Sequence, residues 1–460
     1  MADNSTVYDI VVLGGGSGGY ATALRATELG LSVALVEEDK LGGTCLHYGC
    51  IPTKAVLHAA EVADASREGE RIGVRSTFDG IDMTALNAYK DGVVGRLHKG
   101  LQGLVKAHKV TVVEGHGRLV APDTVEVDGR RITGRNVVLA TGSYSRTLPG
   151  LEIGGRVITS DGALTLDHVP GSVVVLGGGV IGCEFASAWR SFGSEVTIIE
   201  ALPHLLPNED PALSKAFERA FRKRGISFAT GARFSGVTQD DDGVHVTTED
   251  GTTYDADYLL VAVGRGPRTE GLGYEDHGIP MERGFVLTNE RLHTGVGSVY
   301  AVGDIVPGLQ LAHRGFAQGI FVAEEIAGLA PVTIVESGIP RVTYSDPEVA
   351  SVGLTRAAAA EEFGEDAVET LDYNLGGNGK SQILGTTGFV TLIRRKDGPV
   401  VGVHMIGARV GELIGEAQLI VNWEAHPEDV AAHVHAHPTQ NEAMGEAFLA
   451  LAGKPLHAHN

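Results

Sequence analysis

The chain has 460 residues, of which 43% are hydrophobic and 21% charged, so it can bury a large core and is not a disordered polymer. Its 37 basic and 58 acidic residues give a formal net charge of −21, which argues against non-specific binding to nucleic acid or to an anionic membrane. No apolar run approaches the roughly 20 residues that a membrane-spanning helix requires.

The N-terminus reads MADNSTVYDIVVLGGG, a polar stretch that leads directly into an apolar strand. It has neither the basic-apolar pattern of a signal peptide nor the Arg/Ser-rich composition of a transit peptide. Three cysteines are too few for a disulfide framework, which is typical of a reducing compartment. We therefore expect a cytoplasmic location.

Two segments of the chain repeat one pattern. The segment from Val7, VYDIVVLGGGSGGYATALRATELGLSVALVEED, predicts a strand, a glycine turn, a helix and a second strand that ends in Glu37. The segment from Ser172, SVVVLGGGVIGCEFASAWRSFGSEVTIIEA, predicts the same elements and ends in Glu200. In each copy the acid follows the first glycine by 23 residues, since 37 − 14 and 200 − 177 both equal 23. The glycines of the two G-x-G-x-x-G motifs are Gly14, Gly16, Gly19, Gly177, Gly179 and Gly182.

A single G-x-G-x-x-G is weak evidence in a glycine-rich chain, but the flanking strand, helix and acid occur in both copies. The glycines allow a tight turn and a close approach of pyrophosphate to the backbone. The free N–H groups at the helix start attract the phosphates, and the acid accepts a hydrogen bond from a ribose hydroxyl. The sequence therefore predicts two dinucleotide-binding βαβ units.

The motif GGTCLHYGCIPTK, residues 42–54, brings Cys45 and Cys50 within five positions of each other. In one regular helix they would be separated by about 7.5 Å of rise, beyond the roughly 7 Å limit for a disulfide. A bridge therefore requires Cys45 to lie outside the helix that carries Cys50. A helix start also favours the thiolate. The spacing does not match a metal site, and two unrelated buried thiols remain the alternative.

The remaining elements follow in chain order. A helix is predicted over 84–108, short strands over 109–140 and 226–264, and a strand over 298–304 followed by a helix from Leu309. Beyond Arg341 we expect longer strands and two helices, which suits a separate α+β domain. Their predicted ranges are 349–353, 388–394 and 400–406 for the strands and 410–424 and 440–452 for the helices.

The last motif, HVHAHPTQNEA, spans residues 433–443 and contains His437 and Glu442. Oxidation of a dithiol needs a proton acceptor whose pKa is near the working pH, and a carboxylate can fix the tautomer of an imidazole. On its own the cluster could also be a metal site or surface histidines. Together with the cysteine pair, a catalytic base is the favoured interpretation.

The order of these motifs, together with ATGS at 140–143, VGRGP at 263–267 and YAVGD with LAH at 300–313, resembles the pyridine nucleotide–disulfide oxidoreductases over nearly the whole chain. Among them it is most similar to the dihydrolipoyl dehydrogenases. The resemblance implies an α/β fold with two Rossmann-like, three-layer ββα domains and a C-terminal α+β dimerisation domain. It implies an FAD domain at 1–150 completed by about 271–337, an NAD domain at 151–270 and an interface domain at 338–460.

The resemblance also implies FAD and NAD as cofactors. The residues expected at FAD are Gly14, Gly16, Gly19, Glu37, Lys54, Gly117, Thr141, Gly142, Ser143, Asp304 and Ala312. Those expected at NAD are Gly177, Gly179, Gly182, Glu200 and Gly264. An acid with no arginine nearby after the second glycine turn favours NAD over NADP.

For catalysis, the resemblance implies a redox-active Cys45–Cys50 disulfide in which Cys45 exchanges with substrate and Cys50 faces the flavin. Lys54 would lie near the flavin with Glu184 as its partner, and His437, oriented by Glu442, would act as base on the other subunit's disulfide. A homodimer follows, as does a lipoylated acyltransferase or carrier protein of a 2-oxo-acid dehydrogenase complex as partner. A reductase of glutathione or mycothiol disulfide and a non-catalytic flavin-binding scaffold are the alternatives.

At three positions the chain carries a residue that differs from the one most common in the family. His47, between the cysteines, is either a neutral change or a group that tunes the thiolate. Cys183 is expected to be a small buried hydrophobe. Arg314 is either a cation near the flavin or a surface arginine.

Overall fold

The computed structural model describes residues 7–457. Residues 1–6, on which the expected cytoplasmic location partly rests, and residues 458–460 lie outside the described part. Within residues 7–457, no helix combines the length and apolarity needed to cross a membrane.

The first dinucleotide-binding unit begins with a mainly apolar parallel strand, as predicted. Its sheet has the strand order β3-β2-β1-β6-β5-β4, and its central strands β1, β2 and β6 are parallel, with helix α1 as the crossover between β1 and β2. The elements up to the first inter-domain ribbon are β1 (Tyr8–Leu13), α1 (Ser17–Glu28), β2 (Val33–Glu37), α2 (Gly43–His47), α3 (Cys50–Glu68), α4 (Met83–Ala107), β3 (Thr111–Glu114), β4 (Gly117–Ala121), β5 (Thr124–Val127), β6 (Arg130–Leu139) and β7 (Ser143–Ser145).

The second unit is a parallel sheet of order β11-β10-β9-β15-β8, joined by a three-stranded antiparallel sheet, β12-β13-β14. The antiparallel ribbon of β7 and β16 links it to the first unit. Its elements are β8 (Val157–Ile158), α5 (Ser160–Ala163), β9 (Ser172–Leu176), α6 (Val180–Phe192), β10 (Glu195–Glu200), α7 (Pro211–Lys223), β11 (Ser227–Thr230), β12 (Phe234–Gln239), β13 (Val244–Thr248), β14 (Thr253–Ala256), β15 (Tyr258–Val261) and β16 (Arg265–Pro267).

The chain then returns to the first sheet, where β19 pairs in parallel with β6. Helix α8 starts at Ala312 rather than at Leu309, because Leu311 still has extended backbone angles. A Cβ at Gly319 of α8 would lie 2.3 Å from the carbonyl oxygen of Gly18, so the two helices α1 and α8 meet at their glycines. The returning elements are β17 (Met281–Glu282), β18 (Phe285–Val286), β19 (Val299–Ala301) and α8 (Ala312–Ile326).

The C-terminal section is an antiparallel sheet of order β20-β21-β24-β23-β22 covered by helices. The predicted α+β class of this section is therefore confirmed, although the sequence patterns missed β20, β22, α9, α10 and α12. The elements are β20 (Arg341–Thr343), β21 (Glu348–Gly353), α9 (Arg356–Phe363), β22 (Val368–Asn374), α10 (Gly379–Leu384), β23 (Phe389–Arg395), β24 (Val400–Gly407), α11 (Val410–Asn422), α12 (Pro427–Ala431) and α13 (Glu442–Leu451).

Candidate active site

The two glycine turns have nearly the same geometry. Gly14 and Gly177 have φ of +104° and +112°, a region that side chains disfavour, and a Cβ on either would lie 2.3 Å from a carbonyl oxygen of a neighbouring strand end. A Cβ at Gly19 or Gly182 would lie 1.8 or 2.0 Å from the carbonyl oxygen of the turn's own first glycine. Only glycine lets each helix pack this closely on its strand.

The middle glycine of each motif faces open space. A Cβ at Gly16 would meet only the Cα of Gly43, at 3.9 Å, and one at Gly179 would meet nothing within 4 Å. Each turn leads directly into the N-terminus of a helix, α1 or α6, whose first N–H groups favour a phosphate. Both turns therefore fit a dinucleotide pyrophosphate.

The acid at the end of each second strand also fixes its glycine turn, a contact that sequence reasoning missed. The N–H of Gly15 donates to Glu37 Oε2 at 2.6 Å, and the N–H of Gly178 donates to Glu200 Oε2 at 2.6 Å. Burial raises the pKa of Glu37, although hydrogen bonds from the N–H groups of Asp39 and Gly15 oppose the shift. Each acid thus positions the phosphate turn besides marking the ribose end of the site.

A cavity of about 480 Å³ adjoins the first glycine turn. Gly14, Glu37, Gly117 and Thr141, four residues expected at FAD, line it. A Cβ at Gly117 would lie 2.6 Å from the side chain of Leu13, so any larger residue would collide with Leu13 in the cavity wall. The cavity suits the adenosine half of a dinucleotide.

Asp304, the acid expected on the flavin side, belongs to a hydrogen-bonded chain. Asp304, in a 3-10 turn after β19, accepts a hydrogen bond from Ser143 Oγ at 2.5 Å. Arg265 Nε in turn donates to Ser143 Oγ at 2.7 Å, which makes Arg265 a further residue of the site that the sequence analysis did not single out. Gly142 and Gly264, on the two crossings between the sheets, have positive φ of +73° and +105°.

The cysteines lie on two different helices, as the spacing argument requires. Cys45 is in the short helix α2, and Cys50 is the first residue of α3. The helical conformation is interrupted between them, at Gly49. Both are free thiols in this structure, and their sulfurs lie near disulfide distance. A hydrogen bond from Cys45 lowers the pKa of Cys50 to about 7, and the same contact raises the pKa of Cys45.

An ion pair lies beside this pair of sulfurs. Lys54 Nζ, one helical turn after Cys50 on α3, is 2.8 Å from Oε2 of Glu184 on α6. Glu184 is only 2% exposed. Partial burial alone would lower the pKa of Lys54, but the charge and hydrogen bonds of Glu184 outweigh it, so the pKa lies above its ordinary value. A fixed positive charge therefore stands near Cys50.

The histidine site is built on the C-terminal section. Glu442 Oε1, at the first residue of α13, is 2.7 Å from Nδ1 of His437. The His437 side chain is 72% exposed, and among residues 7–457 of one chain it makes no hydrogen bond to either cysteine. This contact occupies Nδ1, and among residues 7–457 Nε2 of His437 makes no hydrogen bond.

A second histidine–glutamate pair, missed by the sequence analysis, holds the loop that carries His437. Oε1 of Glu416, on α11, lies 2.9 Å from Nε2 of His435. The other carboxylate oxygen, Oε2, accepts a hydrogen bond from Asn441 Nδ2 at 2.6 Å. The main signal in the sequence was only that His435 belongs to the same HVHAHP run. Glu416 therefore anchors both ends of the loop to α11.

The three departures have local explanations. His47 Nε2 lies 2.9 Å from the carbonyl oxygen of Leu41, and its ring packs edge-on against His98. Cys183 is fully buried, as expected of a small hydrophobe, and burial raises its pKa. The surface interpretation of Arg314 is wrong, because it is 2% exposed and pairs with Glu336 at 2.7 Å.

Comparison with known proteins adds the family. Residues 8–319 match the family described as pyridine nucleotide-disulphide oxidoreductase, and residues 339–448 match its dimerisation domain. A dihydrolipoyl dehydrogenase of Bacillus subtilis is 41% identical, with 98% of this chain and 100% of that protein covered. A mitochondrial dihydrolipoyl dehydrogenase of Pisum sativum is 38% identical over 99% of this chain and 94% of that one. The crystal structure of LpdA from Mycobacterium tuberculosis has a TM-score of 0.89 at 26% identity, covering 96% of this chain and 99% of LpdA.

Proposed function

The chain belongs to the pyridine nucleotide-disulphide oxidoreductase family, and on that premise we propose that it is a dihydrolipoyl dehydrogenase. The proposed reaction oxidises a dihydrolipoyl group to a lipoyl group and reduces NAD⁺ to NADH. The observation that carries the proposal is the meeting of Cys45 and Cys50 near bonding distance beside Lys54. A scaffold without catalysis would have no need of this arrangement.

The family implies FAD and NAD, and the open glycine turns and the cavity fit them. When bound, FAD supplies two-electron transfer between a dithiol and a nicotinamide. We assign the FAD site to Gly14, Gly16, Gly19, Glu37, Lys54, Gly117, Thr141, Gly142, Ser143, Asp304 and Ala312. We assign the NAD site to Gly177, Gly179, Gly182, Glu200 and Gly264.

We also propose a division of the chain that follows the sheets. Residues 1–150 and about 271–337 would form the FAD domain, 151–270 the NAD domain and 338–460 the interface domain. The return of β19 to the first sheet supports this division. The proposed location is the cytoplasm, because three cysteines in the chain suit a reducing compartment.

In the proposed first step, His437 of the partner subunit takes a proton from a substrate thiol. The resulting thiolate attacks Cys45 Sγ, the Cys45–Cys50 bond breaks, and Cys50 leaves as a thiolate. The substrate's second thiol, deprotonated in turn, closes the substrate disulfide and releases Cys45 as a thiolate that takes up a proton. Two electrons thereby pass from the substrate to the cysteine pair.

The environment of Cys50 supports its role as the leaving sulfur. The positive charge of Lys54 lowers the pKa of Cys50, which favours Cys50 as the leaving sulfur. The ammonium of Lys54 and the N-terminus of α3 both favour its negative charge. In the reduced, dithiol state Cys45, whose pKa is raised, is the sulfur that keeps a proton.

The dimerisation domain supports a homodimer, and we propose that each active site is shared between the two subunits. The exposure of His437 supports this, because a base that faces away from its own cysteines can serve a neighbour's. The Glu442 carboxylate would stabilise the imidazolium that forms. A lipoylated acyltransferase or carrier protein of a 2-oxo-acid dehydrogenase complex is the proposed partner.

The test is to purify the protein, measure FAD absorbance and assay NAD⁺ reduction by dihydrolipoamide. We expect bound FAD, turnover with dihydrolipoamide, and a kcat/KM for NADH far above that for NADPH. Under the same conditions glutathione disulfide with NADPH should give little turnover. Faster turnover of glutathione disulfide than of dihydrolipoamide would replace this function with that of a low-molecular-weight disulfide reductase.

A further inference from the structure

The aromatic ring of Tyr344 lies over the ammonium of Lys54. Tyr344 belongs to the loop between β20 and β21 of the C-terminal sheet, whereas Lys54 is on α3 of the first unit. The ring centroid is 4.8 Å from Lys54 Nζ, within the range of a cation–π interaction. A residue from the C-terminal section thus reaches the ion pair beside Cys50.

Tyr344 contacts both members of that ion pair. Its backbone N–H donates to Glu184 Oε1 at 2.9 Å, while Glu184 Oε2 lies 2.8 Å from Lys54 Nζ. The ammonium is therefore held between a carboxylate and a ring face. Because the Lys54 side chain is still 35% exposed, solvent offers it an alternative position that these contacts oppose.

The ring packs close to the start of α11. A Cβ at Gly411 would lie 3.3 Å from Tyr344 Cε1, and the N–H of Gly411 donates to Glu348 Oε2 at 2.8 Å. Burial raises the pKa of Tyr344, although the charge of Lys54 opposes this shift. Tyr344 therefore stays a neutral ring across the working pH range.

We propose that Tyr344 is a positioning residue, which fixes the Lys54 ammonium against Glu184 and through it stabilises the thiolate of Cys50. The lysine side chain is a flexible stem of four carbons, which does not by itself fix the position of the ammonium group. A ring face that attracts the ammonium therefore restricts that position. The groups that act on Cys50 include Cys45, Glu184 and two cations, Arg265 and Lys54, and the charge of Lys54 lowers the pKa of Cys50. Loss of the ring would let the Lys54 ammonium move away. The inference rests on the proposed function.

The test compares Tyr344→Leu, which removes the ring, with Tyr344→Phe, which keeps it. The readout is the long-wavelength charge-transfer absorbance of the two-electron-reduced enzyme, followed as a function of pH, since its midpoint reports the pKa of Cys50. Phe78→Leu is the matched control, because it removes the ring of the Arg67–Phe78 cation–π pair. A pentafluorophenylalanine at position 344 keeps the ring's shape and reverses its quadrupole.

In Tyr344→Leu and in the fluorinated variant we expect a midpoint at higher pH, with the thiolate-to-thiol ratio at pH 7 lowered roughly twofold to fivefold. Tyr344→Phe and Phe78→Leu should titrate like the wild type. An unchanged midpoint in Tyr344→Leu, or an equal shift in Tyr344→Phe, overturns the inference. If Tyr344→Leu does not fold, the fluorinated variant decides in the same way. A wild type without the absorbance overturns the proposed function, and the inference with it.

Discussion

The proposed redox site has two halves, and they differ in how many of their contacts one chain supplies. The sulfur half, made of Cys45, Cys50, Lys54 and Glu184, is fully assembled among elements of one chain. The histidine half consists of His437 and Glu442, and its imidazole points largely into solvent. The difference supports the proposal that folding of one chain prepares the electron-accepting sulfurs, while the base is presented to a second copy.

The two halves are also anchored by different physics. In the sulfur half a buried carboxylate, Glu184, is satisfied by Lys54 and by a backbone N–H, so no charge is left unpaired. In the histidine half, Glu416 fixes both ends of a loop and leaves the tip exposed. We therefore expect changes in the sulfur half to alter spectra and turnover together, and changes in the histidine half to alter turnover alone.

The largest effect is expected for Cys45→Ser or Cys50→Ser. Each should abolish NAD⁺ reduction by dihydrolipoamide, because no disulfide can form to accept the electrons, while FAD stays bound. The matched control is Cys183→Ser, which replaces the buried thiol that donates to the carbonyl oxygen of Gly178. Turnover by a variant that lacks both Cys45 and Cys50 would refute the disulfide mechanism.

A smaller effect is expected for His437→Gln. Loss of a general base should lower kcat with dihydrolipoamide by about 10²–10⁴-fold. Oxidation of NADH by an artificial electron acceptor, which needs no thiol deprotonation, should remain close to the wild-type rate. Equal losses in both assays would mean that His437 supports the fold or the cofactor site rather than proton transfer.

The smallest effect concerns pH. The hydrogen bond from Cys45 lowers the pKa of Cys50 from its ordinary value of 9.0 to about 7, so the thiolate is present above pH 7 and is lost as the pH falls through that value. Cys45→Ala removes the donor and should move the midpoint upward, with the largest difference between pH 7 and 9. Thiolate absorbance in the ultraviolet of the reduced protein measures it. Coincident titration curves would show that Cys45 does not tune Cys50.

Local sequence patterns predicted several features that depend on residues close together along the chain. The two strand–turn–helix units, the helix now seen at 83–107 and the break between Cys45 and Cys50 all follow from spacing and glycine positions. The resemblance supplied the role of Glu184 and the expectation that His437 serves the other subunit, which no local pattern could give.

What the sequence did not reveal depends on contacts between distant segments. Tyr344 meets Lys54 from 290 positions away, and Arg265 meets Ser143 across 122. The strand β22 was missed because its outward face is polar and the strand lies at the sheet edge. Such contacts are set by the packing of sheets, which propensity does not encode.

The central claim, that the sulfur half of one chain works with the histidine half of the other, is tested most directly by hybrid dimers. Dimers that combine one Cys45→Ser chain with one His437→Gln chain, purified through two different tags, contain one site with both halves intact. They should recover about half of the wild-type activity with dihydrolipoamide, although each variant alone is nearly inactive. Hybrid dimers that stay as inactive as the parent variants would contradict a shared site.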